Sequence, residues 1–256
     1  MRLLLPPSEA KHPGGRGRPL GTRIAGPLAQ PRAEVASAVA RLAEGDADAA
    51  AEALLLPAGV MAQALRADAR VLTSPTVPAL RRYSGVVYDG LDYPGMTPAQ
   101  RKIAHRSVLI FSGLLGVVRG DEATPDYRVP AKAALPGLGV AATYWRPRLA
   151  PMLDAALRTQ FVIDLRSSDY AAMWRPRGAL AEQVVEVRVL SPLPRGGHGV
   201  ISYVSKHAKG RLAAALIARV AAGGTVERAD DVAAAWSTIG GAGCAARDAG
   251  LDLLTG

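Results

Sequence analysis

The sequence predicts a mixed α/β domain, and three observations carry that expectation. Apolar runs of strand length recur at 2–5, 108–111 and 161–165. Between them, Ala, Val and Leu return at helical spacing, as in 33–42 and 59–69. The 256 residues suffice for one sizeable domain or two small ones, with 49% of them hydrophobic. Only 5% are aromatic, so the core must be built mainly from Ala, Leu and Val.

Taken in order, Arg2-Leu-Leu-Leu5 reads as a short buried strand stopped by Pro6-Pro7. Ser8 to Arg32 is rich in Gly, Pro and Arg without periodicity, the composition of a long and often functional loop. Arg2, Lys11, Arg16, Arg18, Arg23 and Arg32 against Glu9 give the first 32 residues a charge of six minus one, +5. A helix over Ala33–Leu42 stops at Gly45, Asp46 caps a second through Leu55, and Gly59–Ala69 forms a third. Pro78–Tyr83 reads as a short helix leading into a strand, Gly85-Val-Val-Tyr88, closed by an Asp89-Gly90 turn.

Thr97-Pro98 starts the next helix, with Thr as cap and Pro in the first turn. Arg101, Lys102, His105 and Arg106 lie three or four apart on it and share one broad basic face. The helix runs into Val108–Phe111 and then Ser112-Gly113-Leu-Leu-Gly116, whose glycines let backbone approach backbone or ligand. Arg119, Tyr127 and Arg128 follow within a polar loop. A basic helix before a glycine turn suits a phosphate backbone, although a solvated helix face gives the same pattern.

Tyr144–Leu157 is a helix anchored by Trp145, and Phe161–Leu165 is a buried strand. At that strand's C-terminal end stands Arg166-Ser-Ser-Asp-Tyr170, where α/β proteins place ligands. Gln183–Leu190 and Gly199–Tyr203 read as a hairpin about the Pro194–Gly197 turn. Ser205, Lys206 and Lys209 then open a helix over Leu212–Ala222, with free N–H groups suited to an anion. Asp230 caps a last helix to Trp236, and Leu251–Leu254 closes as a strand.

The formal net charge of +9 favours polyanionic partners or acidic small molecules. The arginine bias and the Ala-Gly-Pro excess also fit a GC-rich genome. A single cysteine, Cys244, excludes a disulfide within the chain and fits a reducing, cytoplasmic setting. The opening apolar run is too short for a signal peptide, and no run approaches the ~18 residues of a membrane span. His12, His105, His198 and His207 lack metal-ligand spacing, so neither a metal nor a cofactor is expected.

Several fragments together resemble the YaaA peroxide-stress family. They are Leu4-Leu-Pro-Pro-Ser-Glu-Ala-Lys11, Tyr83-Ser-Gly-Val-Val-Tyr-Asp-Gly-Leu91, and Ser112-Gly-Leu-Leu-Gly-Val-Val-Arg119 ending in Tyr127-Arg128. Trp145, Ser167-Ser-Asp-Tyr170 and Ile201-Ser-Tyr-Val-Ser-Lys-His-Ala-Lys-Gly210 follow in family order across essentially the whole chain. The resemblance implies a single mixed α/β domain over 1–256, a positively charged cleft and a helix-hairpin-helix-like element. It implies a role in the hydrogen peroxide response, limiting free iron and oxidative DNA damage, with DNA as partner and no agreed reaction.

The positions this carries over as catalytic are Lys11, Tyr127, Ser167 and Lys206. Ser8, Arg101, Lys102, Arg106, Ser112, Gly113, Gly116, Arg119, Arg128, Tyr170 and Lys209 are carried over or read as binding residues. The chain departs from the family at Gly120-Asp-Glu122, at Val129-Pro-Ala131, which removes an acidic partner for Arg128, and at Asp164 and Lys209, where Asn and Arg are usual. Its Gly-Leu-Leu-Gly spacing is one residue longer than the usual helix-hairpin-helix turn.

Two functions follow as expectations: a monomeric DNA-binding stress protein, or an enzyme acting on a small phosphate- or carboxylate-bearing substrate. Direct iron handling ranks last, since His, Cys and carboxylates do not cluster in the sequence.

Overall fold

The central sheet is organised around the apolar run that opens the chain. The computed structural model describes residues 1–22, 24–248 and 250–256; Arg23 of the basic loop lies outside the described residues. Strand β1 (Arg2–Leu5) has Leu3, Leu4 and Leu5 fully buried. Strands buried on both faces read as continuous apolar runs rather than alternations, which is why this one was legible.

After β1 come helices α1 (Ala29–Glu44), α2 (Ala47–Ala53) and α3 (Ala58–Ala69). The Asp46 side chain caps α2 by accepting the Ala49 N–H at 2.8 Å. Strand β2 (Val77–Pro78), α4 (Ala79–Arg82), α5 (Val86–Leu91) and α6 (Pro98–Ser107) follow. Thr97 and Gln100 close a reciprocal capping box at the start of α6. Then come β3 (Val108–Ser112), β4 (Gly116–Arg119), β5 (Ala123–Thr124), β6 (Ala134–Leu135), β7 (Gly139–Val140) and α7 (Ala141–Leu157). The chain finishes with β8 (Val162–Asp164), α8 (Ser168–Ala171), β9 (Val184–Pro192), β10 (His198–Gly199), α9 (Ser202–Ala221), α10 (Ala229–Thr238), β11 (Gly243–Arg247) and β12 (Gly250–Leu254).

The main sheet runs β11-β12-β9-β8-β1-β3-β4, with β10 paired to β9. Strands β12, β9, β8, β1 and β3 are mutually parallel, and an antiparallel strand closes each edge. The chain leaves β1 for β3 on one side, while β8 pairs on the other. That is a topological switch point, and a crevice forms at the carboxyl ends of such strands.

Several expectations need correction. Residues 85–88 are not a strand: Val87, Tyr88 and Leu91 are buried at helical spacing, so α5 forms. The Gly113–Leu115 turn joins two antiparallel strands, with Ser112 opposite Gly116, so the segment is helix then β-hairpin rather than helix-hairpin-helix. The second arm of the later hairpin shrinks to His198–Gly199, because α9 starts at Ser202 rather than Leu212. Ser205, Ala208, Leu212 and Leu216 form one buried helical stripe whose first members are too small to read as apolar. Lys206 and Lys209 therefore sit inside a helix, not at its free N-terminus. Arg228, not Asp230, is the cap of α10, and Asp231 accepts the N–H groups of Glu227 and Arg228.

Helices α5 and α9 cross with Gly90 and Gly210 at the contact. A Cβ on Gly90 would strike the His207 carbonyl, and one on Gly210 the Val87 carbonyl. Gly210→Ala is expected to cost about 1–3 kcal/mol. Urea denaturation would show a lower midpoint with an unchanged slope, whereas an unchanged midpoint would mean the helices can separate freely.

Candidate functional site

Residues from six separate segments meet at the carboxyl ends of β1 and β3. Pro6–Lys11 leaves β1 and turns over the crevice. Tyr88 Oη donates to the Pro6 carbonyl at 2.8 Å, and Ser8 Oγ accepts the Ser84 N–H at 3.0 Å. These bonds fix the turn, and Lys11 then bridges to Tyr83 through the backbone.

Lys11 is half-buried with its amine turned inward. Nζ donates to the Ser8 carbonyl at 2.9 Å and lies 4.1 Å from the centre of the Tyr127 ring and 5.5 Å from that of Tyr83. Burial pushes the amine down to about 7, against the opposing pull of Asp126 and Asp68. Beneath it runs a line of hydroxyls: Tyr83 Oη to Tyr127 Oη at 2.7 Å, and Tyr127 Oη to Ser112 Oγ at 2.6 Å. Ser112 Oγ also accepts the Leu115 N–H at 3.0 Å, which ties the line to the β3–β4 turn. Burial raises Tyr83 to about 12 and pushes Tyr127 and Tyr170 up as well, so all three phenols stay protonated at neutral pH.

Asp68 of α3 completes the group. It is fully buried, its Oδ1 accepts the Arg128 N–H at 2.8 Å, and its Oδ2 has no hydrogen-bond partner among the described residues. Burial lifts this carboxyl to about 7. The Arg128 guanidinium reaches across to Glu9 and forms an ion pair. Ser8, Glu9, Lys11, Tyr127, Arg128 and Tyr170 line the crevice these segments enclose.

The structure thus brings together Ser8, Lys11, Ser112, Tyr127, Arg128 and Tyr170. Ser167 is exposed as the cap of α8 and makes no side-chain capping bond. Lys209 Nζ donates to the Arg166 carbonyl at 3.2 Å, and burial lowers its amine. Lys206 is exposed on α9 and shares no hydrogen bond or ion pair with the cluster among the described residues. Gly113 and Gly116 serve packing: Gly116 has φ +73° and its Cβ position lies 2.7 Å from the Trp145 ring, while Gly113 abuts the Val129 carbonyl.

The basic residues of α6 face elsewhere. Arg101 donates to the Pro94 carbonyl at 2.6 Å, and Lys102 and Arg106 are exposed. Arg2 donates to the Arg106 carbonyl, and Arg119 makes two 3.0 Å bonds to Asp121. Arg2, Arg106 and Arg119 therefore gather at the amino ends of β1 and β3, the edge opposite Lys11. Burial first, then Arg106 and Arg119, lower the Arg2 pKa.

The sequence reading missed Asp68, Tyr83 and Glu9 as site residues. Asp68 carried a signal, since it stands one turn after Leu65 on the buried face of its helix. The departures also find partners here. Glu122 pairs with Arg32, Asp164 pairs with Arg166 at 2.6 Å, and Glu9 supplies the acid that Val129-Pro-Ala131 does not. No group of three or more His, Cys, Asp or Glu suited to a metal occurs among the described residues. No helix among them is long and apolar enough to cross a membrane.

Comparison with known proteins gives a consistent result. Residues 1–234 match the family described as Peroxide stress protein YaaA. A UPF0246 protein of Streptomyces coelicolor is 40% identical over 223 residues, covering 85% of this chain and 83% of its own. UPF0246 proteins of Corynebacterium efficiens and Corynebacterium glutamicum are 37% and 34% identical over 224 and 220 residues, each spanning 84% of both chains.

Proposed function

Because this chain belongs to the peroxide stress protein YaaA family, we propose that it serves the hydrogen peroxide response, limiting iron-driven oxidative damage by binding DNA. The observation that carries this reading is the gathering of Arg2, Arg106 and Arg119 at one sheet edge, beside the exposed Lys102. Arg106 and Arg119 add to burial in lowering the Arg2 pKa, so a polyanion that neutralises this edge would relieve Arg2. Contacts to phosphate alone would give affinity without sequence preference.

Fluorescence anisotropy with duplex DNA across a salt series tests it. Binding is expected to weaken with a log–log slope of roughly −0.9 per phosphate contact, and Arg106→Glu to flatten that slope by about one contact. Affinity indifferent to salt would overturn the reading.

A second reading, an enzyme on a small carboxylate- or phosphate-bearing substrate, is favoured by the Lys11 cluster. An enclosed amine poised near neutrality beside protonated phenols and an arginine is arranged for proton transfer or nucleophilic attack. Duplex phosphate has no need of such an enclosure. Thermal-shift screening by metabolite class separates the readings: stabilisation by one class, lost in Lys11→Met, supports the enzyme.

The same groups predict a pH dependence of stability. Between about 7 and 10.5 the unfolded chain holds a proton on Lys11 that the folded protein lacks, so stability rises with pH there. Between 3.8 and about 7 the folded protein holds a proton on Asp68 that the unfolded chain has lost, so stability falls as pH rises. The wild type is therefore expected to show a local minimum near neutrality in urea titrations. Lys11→Met removes the alkaline limb and Asp68→Asn the acid limb; limbs that survive both substitutions would show that these groups do not titrate there.

A further inference from the structure

Arg128 and Glu9 are unequal partners. The Arg128 side chain is 18% exposed and held within the crevice wall, whereas that of Glu9 is 70% exposed on the turn that roofs the crevice. The Arg128 backbone is fixed by buried Asp68, so the guanidinium has a firm base. Among the described residues the Glu9 carboxylate makes this one ion pair, at the tip of a short segment whose Ser8 and Glu9 carbonyls also face the Lys11 amine. The turn thus holds its own carboxylate in the seat and its own carbonyls against the amine.

We propose that Arg128 is the carboxylate seat of the Lys11 site, that Glu9 occupies it in the empty protein, and that a small monocarboxylate substrate enters by displacing Glu9. This rests on the enzyme reading of the cluster and names its substrate class. Exchange of one carboxylate for another leaves Arg128 paired throughout, so entry sacrifices only an exposed contact. As Glu9 swings out, the Ser8 and Glu9 carbonyls withdraw from Lys11 and free its amine to meet the bound molecule. A monocarboxylate matches the single guanidinium of the seat in charge, and because the crevice of about 20 Å³ has room for little more than a water while Glu9 is seated, it can enter only as Glu9 leaves. A phosphate dianion would bring a second charge that the seat does not balance.

Labelling of Lys11 by reductive methylation at pH 7, quantified by peptide mass spectrometry in the full-length protein, tests this with propionate, glycolate and inorganic phosphate as probes. With the seat unlocked in Glu9→Gln, Lys11 is expected to label faster than in the wild type. Propionate and glycolate are expected to slow it at about fivefold lower concentration, the worth of an exposed ion pair. In Arg128→Gln that protection is expected to vanish while labelling persists. Equal protection of wild type and Glu9→Gln would overturn the lock but leave the reactive amine standing, and stronger protection by phosphate would overturn the substrate class. Lys11 labelling no faster than exposed Lys102 and Lys206 in every variant would instead remove the enzyme reading on which the proposal rests.

Discussion

Arg82→Leu is expected to destabilise the protein by about 4 kcal/mol, lowering its melting temperature by roughly 10 °C. Arg82 is fully buried, and its guanidinium donates to four carbonyls: His12, Gly14 at 2.8 Å, Pro75 at 3.2 Å and Thr124 at 3.1 Å. It thereby ties the start of the long N-terminal loop to two distant segments. Leucine would leave the buried Thr124 carbonyl and three part-buried carbonyls without this donor, and an unmade buried bond costs more than a made one contributes. Lysine keeps the charge but cannot span four acceptors, so Arg82→Lys is expected to recover only a minor part. Urea denaturation monitored by fluorescence and by circular dichroism checks both variants. A loss under 1 kcal/mol for leucine would mean that water or a shifted loop satisfies those carbonyls.

Arg166→Met is the second large effect. The Arg166 side chain is 1% exposed and Asp164 8%, and the guanidinium contacts both carboxylate oxygens at 2.9 and 2.6 Å. It also donates to the carbonyls of Tyr170 and Trp174 and lies 4.2 Å from the centre of the Phe111 ring. Removing one partner leaves a buried carboxylate uncompensated, at a cost of about 3–5 kcal/mol. Adding Asp164→Asn to Arg166→Met is expected to return part of that loss, because the stranded charge disappears. A double variant no more stable than the single one would place the energy in the Tyr170 and Trp174 carbonyls instead. Either way Tyr170 loses one of its backbone contacts, so Lys11 labelling reports whether the crevice wall has moved.

How far the sequence speaks for this fold differs between elements, for physical reasons. The runs at 2–5 and 161–165 were legible because parallel strands covered on both faces must be apolar throughout. The segment at 85–88 was not, since a short apolar run fits a strand and a buried helix equally. The beginning of α9 escaped because Ser205 and Ala208 are buried for their smallness beside α5, which depends on a neighbour over a hundred residues away.

The site divides in the same way. Lys11, Tyr127 and Arg128 were singled out by family resemblance, and the structure gathers them. Glu9 and Asp68 have meaning only through Arg128, at 119 and 60 residues' separation, and no local pattern encodes such a meeting. The basic residues of α6 were legible as a face, but only the strand register shows that Arg106 belongs with Arg2 and Arg119.

The hydroxyl line beneath Lys11 has a consequence for how the protein matures. Its members come from the segment after α4, the end of β3 and the loop before β6, and the Lys11 amine above them comes from the turn after β1. Parallel pairing of this kind closes long loops before any contact rewards it, and such pairings form slowly. The enclosure of the amine therefore requires Tyr83 and Tyr127 to be brought from 72 and 116 residues along the chain. Before that closure Lys11 is a solvated amine with the ordinary lysine pKa, and its depressed pKa is a property of the closed fold alone.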